Sequence, residues 1–182
     1  MISLCTFNTN NFKSNISMIE SLVGRNDIVF LIEHWLSKEE EHLISNITSD
    51  HSIKFESEFS EFERRRGRPF GGTCWLINKK FKIIGYESFS RNLSSIEVQC
   101  VEGGDKIKIY GVWFPFDDNT TDTWAQIQIL VSQLQSLIDE HMSDQKWLIV
   151  GDWNMDSNRN KRGDRIFNKF LENNNLCLCE SS

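Results

Sequence analysis

Three apolar runs in this chain finish on an oxygen-bearing side chain: SLCTFN on Asn8, DIVFLIE on Glu33, and WLIVGDWN on Asp152 and Asn154. A carboxylate at the end of a buried strand loses its water, which is costly unless a cation, a ligand or hydrogen-bond donors replace it. Asp152 and Asn154 are two apart, so in extended backbone both side chains point the same way and could share one ligand. Asp156 could continue the row. An Asn, a Glu and an Asp/Asn pair form an oxygen-rich, sulfur-free set, which suits Mg2+ or Mn2+ and not zinc. Each residue also has a local explanation. Gly-Asp and Asn are ordinary turn formers, Asn8 or Asn11 could cap a first helix, and Glu33 could be a solvated strand end. Three separate strands with the same habit point instead to one sheet edge.

The elements that must bring these residues together can be read from hydrophobic periodicity. ISLCTFN (2–8) reads as a strand; SNISMIESLV (14–23) sets Ile16, Ile19, Leu22 and Val23 on one helical face, with Ser14 as its cap and Gly24 as its stop. DIVFLIE (27–33) is a short strand, and Ser37 with Glu40 stand at capping-box spacing for a helix beginning near residue 38. From about 52 to 114 the runs SIKFESEF, GTCWLINKK, KIIGYESF, SIEVQCVE and KIKIYGVWF alternate with polar or Gly-rich breaks, the pattern of an antiparallel meander. The longest helix follows PFDDNTTD, with Trp124, Ile127, Leu130, Val131, Leu134, Leu137 and Ile138 at helical spacing. WLIV (147–150) is then a fully apolar, buried strand. A helix carrying Ile166, Phe167, Phe170 and Leu171 follows, and LCLC (176–179) begins another strand. Strand and helix units around a block of antiparallel strands suit an α+β sandwich of sheets covered by helices.

At 182 residues, with 39% hydrophobic content, the chain is long enough for one globular domain with a real core, here taken as residues 1–182. Five cysteines, odd in number and without a CxxC pair, give neither a disulfide framework nor a zinc site, so reduced intracellular thiols are the expectation. No signal peptide or membrane-spanning run is evident. The net charge of −6 opposes indiscriminate polyanion binding, yet ERRRGRPF (63–70) and RNKRGDR (159–165) are locally basic.

Five pieces stand in a telling order: SLCTFNTNNF, DIVFLIEHWL, RPFGGTCWLINKK, IYGVWFP and WLIVGDWNMD. In this arrangement the sequence resembles the endonuclease/exonuclease/phosphatase superfamily, the fold shared by apurinic endonucleases, DNase I and the endonuclease domains of non-LTR retrotransposons. RPFGG and EHWL point most toward the retrotransposon branch. The resemblance implies a DNase I-like, four-layer α/β/β/α sandwich, here lacking its last strands. It further implies that Glu33 holds Mg2+ (or Mn2+) with Asn8 as ligand or orienter, that Asp152 positions or deprotonates the attacking water, and that Asn154 steadies the phosphate. The expected activity is metal-dependent phosphodiester hydrolysis, most closely the nicking of DNA.

Two departures qualify that expectation. Trp113 stands where the family carries the Tyr of its Tyr-x-Pro segment, keeping an aromatic wall and an N–H donor but losing a phenolic hydroxyl. Family members also continue past LCLC to a catalytic Asp and a closing Ser-Asp-His, whereas this sequence stops at ESS. An incomplete gene model, one part of a split protein and a decayed element remnant are all compatible with that ending, and removal of terminal strands would expose a sheet edge. SDHS (49–52) spells a similar tripeptide in what reads as a loop. His34 is better placed beside Glu33, although neighbouring strand residues face opposite ways and packing is its alternative role; His42 and His141 sit on helices without evident partners. Arg64 to Arg68 could reach a backbone phosphate, or form a solvated loop among Glu56, Glu58, Glu61 and Glu63; Trp35 and Trp75 could stack on bases or belong to the core. The alternatives to a DNA endonuclease are a non-catalytic remnant or binding module of the same fold, and a phosphatase acting on a small phosphorylated molecule.

Overall fold

The computed structural model describes residues 2–59, 70–140, 146–156, 159 and 161–178. Arg64 to Arg68, His141 and Cys179 lie outside them. Contacts divide the chain into two compact units, Met1–Trp113 with Met142–Asp152, and Phe114–His141 with Trp153–Ser182. Among the described residues, eight strands and four α-helices make a mixed α+β architecture.

The first unit contains both sheets. β1 (Leu4–Asn8), β2 (Ile28–Ile32), β4 (Thr73–Asn78) and β3 (His51–Glu56) form one sheet in that spatial order, with β1 and β2 parallel and the other pairings antiparallel. β5 (Phe81–Ser90), β6 (Leu93–Cys100), β7 (Ile107–Trp113) and β8 (Lys146–Asp152) form the second, antiparallel except for the parallel β7/β8 pair. The expected continuous meander is therefore corrected. β4 has both edges occupied by β2 and β3, so the chain turns at Lys79–Lys80 and starts a new sheet with β5.

β2 reads as unbroken IVFLI because both of its faces are covered, as in a strand with layers on either side. Ile28, Phe30 and Ile32 join Trp75 and Ile77 against Phe81, Ile96, Val98 and Ile109 of the second sheet. Val29 and Leu31, with Cys74 and Leu76, meet Phe12, Ile19, Val23 and Ile44 on the opposite side. Those last residues come from a 3-10 turn (Phe12–Ser14), α1 (Ile16–Arg25) and α2 (Glu41–Ser45). Phe30 and Trp75 stack with ring centroids 4.2 Å apart, and the Trp75 indole N–H donates to Ser94 Oγ of β6 at 3.0 Å, tying one sheet to the other. Trp75 is thus core, not a base-stacking surface.

Several local expectations are revised. α1 starts after Asn15, not Ser14, and runs through Gly24, whose surroundings are open, to Arg25. At Ser37 the capping relation is carried by its backbone N–H donating to Glu40 Oε2 at 3.0 Å, over a 3-10 turn (Lys38–Glu40) that leads into α2. β8 is not fully buried. It lies at the edge of its sheet, and Leu148 keeps 46% of its surface exposed. Residues 176–178 adopt no strand, no described strand pairs with them, and Leu178 is exposed.

The second unit holds α3 (Thr121–Asp139) and α4 (Arg162–Asn173). Thr120 caps α3 by accepting from the Thr123 N–H, and Ile127, Leu130 and Leu134 are its buried stripe. α4 buries Phe167 and Phe170 beneath Trp153, which also stacks on Phe114 at 5.1 Å. No described helix is long and apolar enough to cross a membrane.

Candidate active site

Four strands of the first unit finish at one end: β1 on Asn8, β2 just before Glu33, β7 on Trp113 and β8 on Asp152. Asn8 pairs in register with Ile32, an inward-facing core residue, so its side chain points between the sheets. Asp152 pairs with Trp113, which packs on that same inter-sheet core, so the carboxylate also points inward. The result is a direct connection. Asn8 Nδ2 donates to Glu33 Oε1 at 2.9 Å and to Asp152 Oδ2 at 3.0 Å. Asn8 Oδ1 accepts from the Asn10 N–H at 3.1 Å, which fixes the amide orientation. A neutral amide thus holds two carboxylates together across the two sheets, 25 and 144 residues away in sequence.

The backbone around Glu33 is strained. Glu33 has φ +56° and Trp35 also has φ +56°, a left-handed conformation uncommon outside Gly and Asn. Neighbouring bonds enforce it. The Glu33 carbonyl accepts from Thr9 Oγ1 at 2.8 Å and from the Asn11 N–H at 3.1 Å, and Trp35 N–H donates to the Gly71 carbonyl at 3.0 Å. Thr9 is buried and was not singled out in the sequence. Its only signal there is its place beside Asn8.

Glycines account for two of the sequence motifs. Gly151 has φ +143°, and a Cβ there would lie 1.8 Å from the Val112 carbonyl oxygen, so only glycine lets β8 pass this close to β7 and deliver Asp152. Gly72 has φ +84°, and a Cβ there would meet the His34 ring at 2.3 Å. EHWL and PFGG are therefore two halves of one contact. His34 is fully buried, stacks on Phe55 at 4.6 Å, accepts from the Leu36 N–H at Nδ1 and so donates from Nε2 to the Glu56 carbonyl. Burial pulls its pKa down to about 4, so it is neutral and structural, and it does not approach the site as a proton donor. His51 is likewise not in a loop. It opens β3, is buried, and bonds Thr48 and the Asn26 carbonyl.

Asn154 lies two residues past Asp152, in the second unit. It has φ +49°, its Nδ2 donates to the Phe114 carbonyl at 2.8 Å, and its carbonyl accepts from Arg159. RNKRGDR is less basic than it reads. Arg159 forks onto Asp164, which is wholly buried and also accepts from the Asp156 and Lys161 N–H groups. Arg162 forks onto buried Asp117. The arginines hold both carboxyls well below the usual carboxylate range. These pairs brace the loop that carries Asn154 rather than offering free charge to phosphate.

Glu33 and Asp152, spaced by an amide, are hard oxygen donors of the kind that hold Mg2+ together with water and substrate phosphate. Among the described residues no group of three or more His, Cys, Asp or Glu side chains surrounds a common point, so any cation here takes its remaining ligands from elsewhere.

Comparison with curated proteins finds none that matches. A family model described as the Endonuclease/Exonuclease/phosphatase family matches residues 5–170. Among solved structures, the chain is similar to a 3′ phosphatase, NExo, from Neisseria bound to a product DNA hairpin (TM-score 0.68, 10% identity, covering 94% of this chain and 71% of that one). It is also similar to an AP endonuclease from Archaeoglobus fulgidus (TM-score 0.66, 17% identity, 94% and 70%) and a mannosyl-6-phosphatase from Bacteroides thetaiotaomicron (TM-score 0.65, 12% identity, 92% and 70%). At these identities the likeness is one of fold.

Proposed function

Because the chain belongs to the Endonuclease/Exonuclease/phosphatase family, whose members are phosphoester hydrolases, we propose that it is a divalent-metal-dependent DNA endonuclease of the retrotransposon type, acting through the strand-end site. The observation that carries the reading is the Asn8 amide joining Glu33 to Asp152. The family model spans both compact units, which supports treating residues 1–182 as one catalytic domain.

Glu33 would hold Mg2+ or Mn2+, with Asn8 orienting its carboxylate and keeping Asp152 from repelling it. The cation, when bound, polarises a phosphoryl oxygen and offsets the charge that develops there. Asp152 aligns a water in line with the leaving oxygen and takes its proton as the new P–O bond forms and the ester P–O bond breaks. Trp113, beside Asp152 on the neighbouring strand, walls the site from solvent. DNA is favoured by the RPFGG and EHWL motifs, which the family's retrotransposon branch shares. Two of the similar structures carry DNA-related names, and the third acts on a sugar phosphate.

The test is nicking of supercoiled plasmid in Mg2+, beside Glu33→Ala and excess chelator, with inositol and sugar phosphates assayed in parallel. Nicking by the wild type alone, abolished by chelator, is expected. Release of phosphate without nicking would move the assignment to a small-molecule phosphatase. Equal nicking by wild type and Glu33→Ala would leave a binding module without catalysis.

A further inference from the structure

Three residues before β4 stands an aromatic side chain that is largely exposed. Phe70 is 56% exposed, and among the described residues of the first unit it is the one large aromatic left so open. A single exposed apolar residue needs no explanation by itself. Phe70, however, stands on a braced segment. The next two residues give their carbonyls to the backbone of the Glu33 loop: Gly71 to Trp35 N–H at 3.0 Å and Gly72 to His34 N–H at 3.5 Å. Glu58 packs against Gly71 and the His34 ring fills the space over Gly72. In the facing loop Glu33 and Trp35 both hold a left-handed backbone, and strain of this kind persists only where the surrounding structure fixes it. The protein thus holds a phenyl ring in solvent at the rim of the loop that presents Glu33.

We propose that Phe70 is a stacking residue for an unpaired nucleobase next to the phosphate that the strand-end site receives. The inference rests on the nucleic-acid reading of the site, and it adds the substrate feature that the site recognises beyond its phosphate. A ring exposed on a rigid support loses little conformational freedom when a base lands on it, and base–aromatic stacking is tolerant of sequence because every base has a π-face. A substrate without a planar group gains nothing from it.

The test is fluorescence anisotropy of a labelled single-stranded oligodeoxynucleotide, and of an oligonucleotide of equal length built wholly from abasic tetrahydrofuran units, with no metal added. Wild type, Phe70→Ala, Phe70→Leu and Phe70→Trp are compared. The Kd for the base-bearing strand is expected to rise about tenfold in Phe70→Ala and Phe70→Leu and to stay near wild type in Phe70→Trp. The Kd for the abasic strand should be alike in all four. Unchanged binding by Phe70→Ala, or an equal loss on both strands, would overturn the proposal. Glu33→Ala, run in the same binding assay and in plasmid nicking, separates the two claims: failure of catalysis with base-dependent binding intact counts against the endonuclease reading alone.

Discussion

With both amide hydrogens given to Glu33 and Asp152 and its oxygen taken by the Asn10 N–H, Asn8 is committed in one orientation. A flipped amide would set an oxygen against two carboxylates. Asn8→Ala should therefore leave those carboxylates facing one another without a donor. The expected cost is about 2 kcal/mol of stability, since hydrogen bonds to charged groups contribute on that scale, and a fall in nicking of about a hundredfold from misplacement of Asp152. Chemical denaturation and initial nicking rates measure the two separately. His34 supplies a pH prediction of definite sign. Its folded pKa, about 4, is below its ordinary value of 6.5 because burial disfavours the cation, while Glu40 is the charged group that partly favours it. The unfolded chain thus binds the extra proton first, and stability present above about pH 6.5 is lost as pH falls toward 4. Asp117 and Asp164, held low by arginine, lose their contributions only below the ordinary carboxylate range. The melting temperature should decline between about pH 6.5 and 4, and His34→Gln, whatever its absolute stability, should lose that slope. An unchanged slope in the variant would place the titration elsewhere.

Elements, more than single residues, decide where the chemistry lies, and they were unequally legible. β2 and the strand-end positions of Asn8, Glu33 and Asp152 could be read from three apolar-rich runs that each finish on an oxygen-bearing side chain, although any one of them alone had an ordinary local explanation. The division of the β block into two sheets could not, because local alternation does not say which edges of β4 are occupied. WLIV read as buried because its residues are apolar, but an edge position leaves each of them partly open. RNKRGDR read as locally basic because composition does not show pairing: Arg159 is taken by Asp164 within the segment, and Arg162 by Asp117, 45 residues away. Two substitutions test the elements. Gly151→Ala should be severely destabilising and should suppress nicking, since the new Cβ would meet the Val112 carbonyl and β8 must shift, taking Asp152 with it. Asp164→Ala removes the buried partner of Arg159 and of two backbone N–H groups, and is expected to cost about 3–5 kcal/mol in denaturant unfolding. A loss under 1 kcal/mol would mean that the loop after β8 does not depend on that carboxylate.

For the molecule as a whole, the two sheets of the first unit bring parts of the chain that are far apart in sequence to one end, and the family model covers both compact units. Sequence order alone could name the family because its short motifs are spaced along nearly the whole chain. It could not reveal the amide bridge, which exists only once the sheets face each other. That bridge is the observation on which the proposed site depends: two carboxylates from different sheets joined by one amide. The direct measurement is titration of Mn2+ into the wild-type protein, Glu33→Gln and Asp152→Asn, with free Mn2+ followed by electron paramagnetic resonance. The account predicts one Mn2+ bound by the wild type, at least about tenfold weaker binding in Glu33→Gln, which loses the anionic ligand, and a smaller change in Asp152→Asn, whose carboxylate serves the attacking water. Binding of equal strength in all three proteins would contradict it.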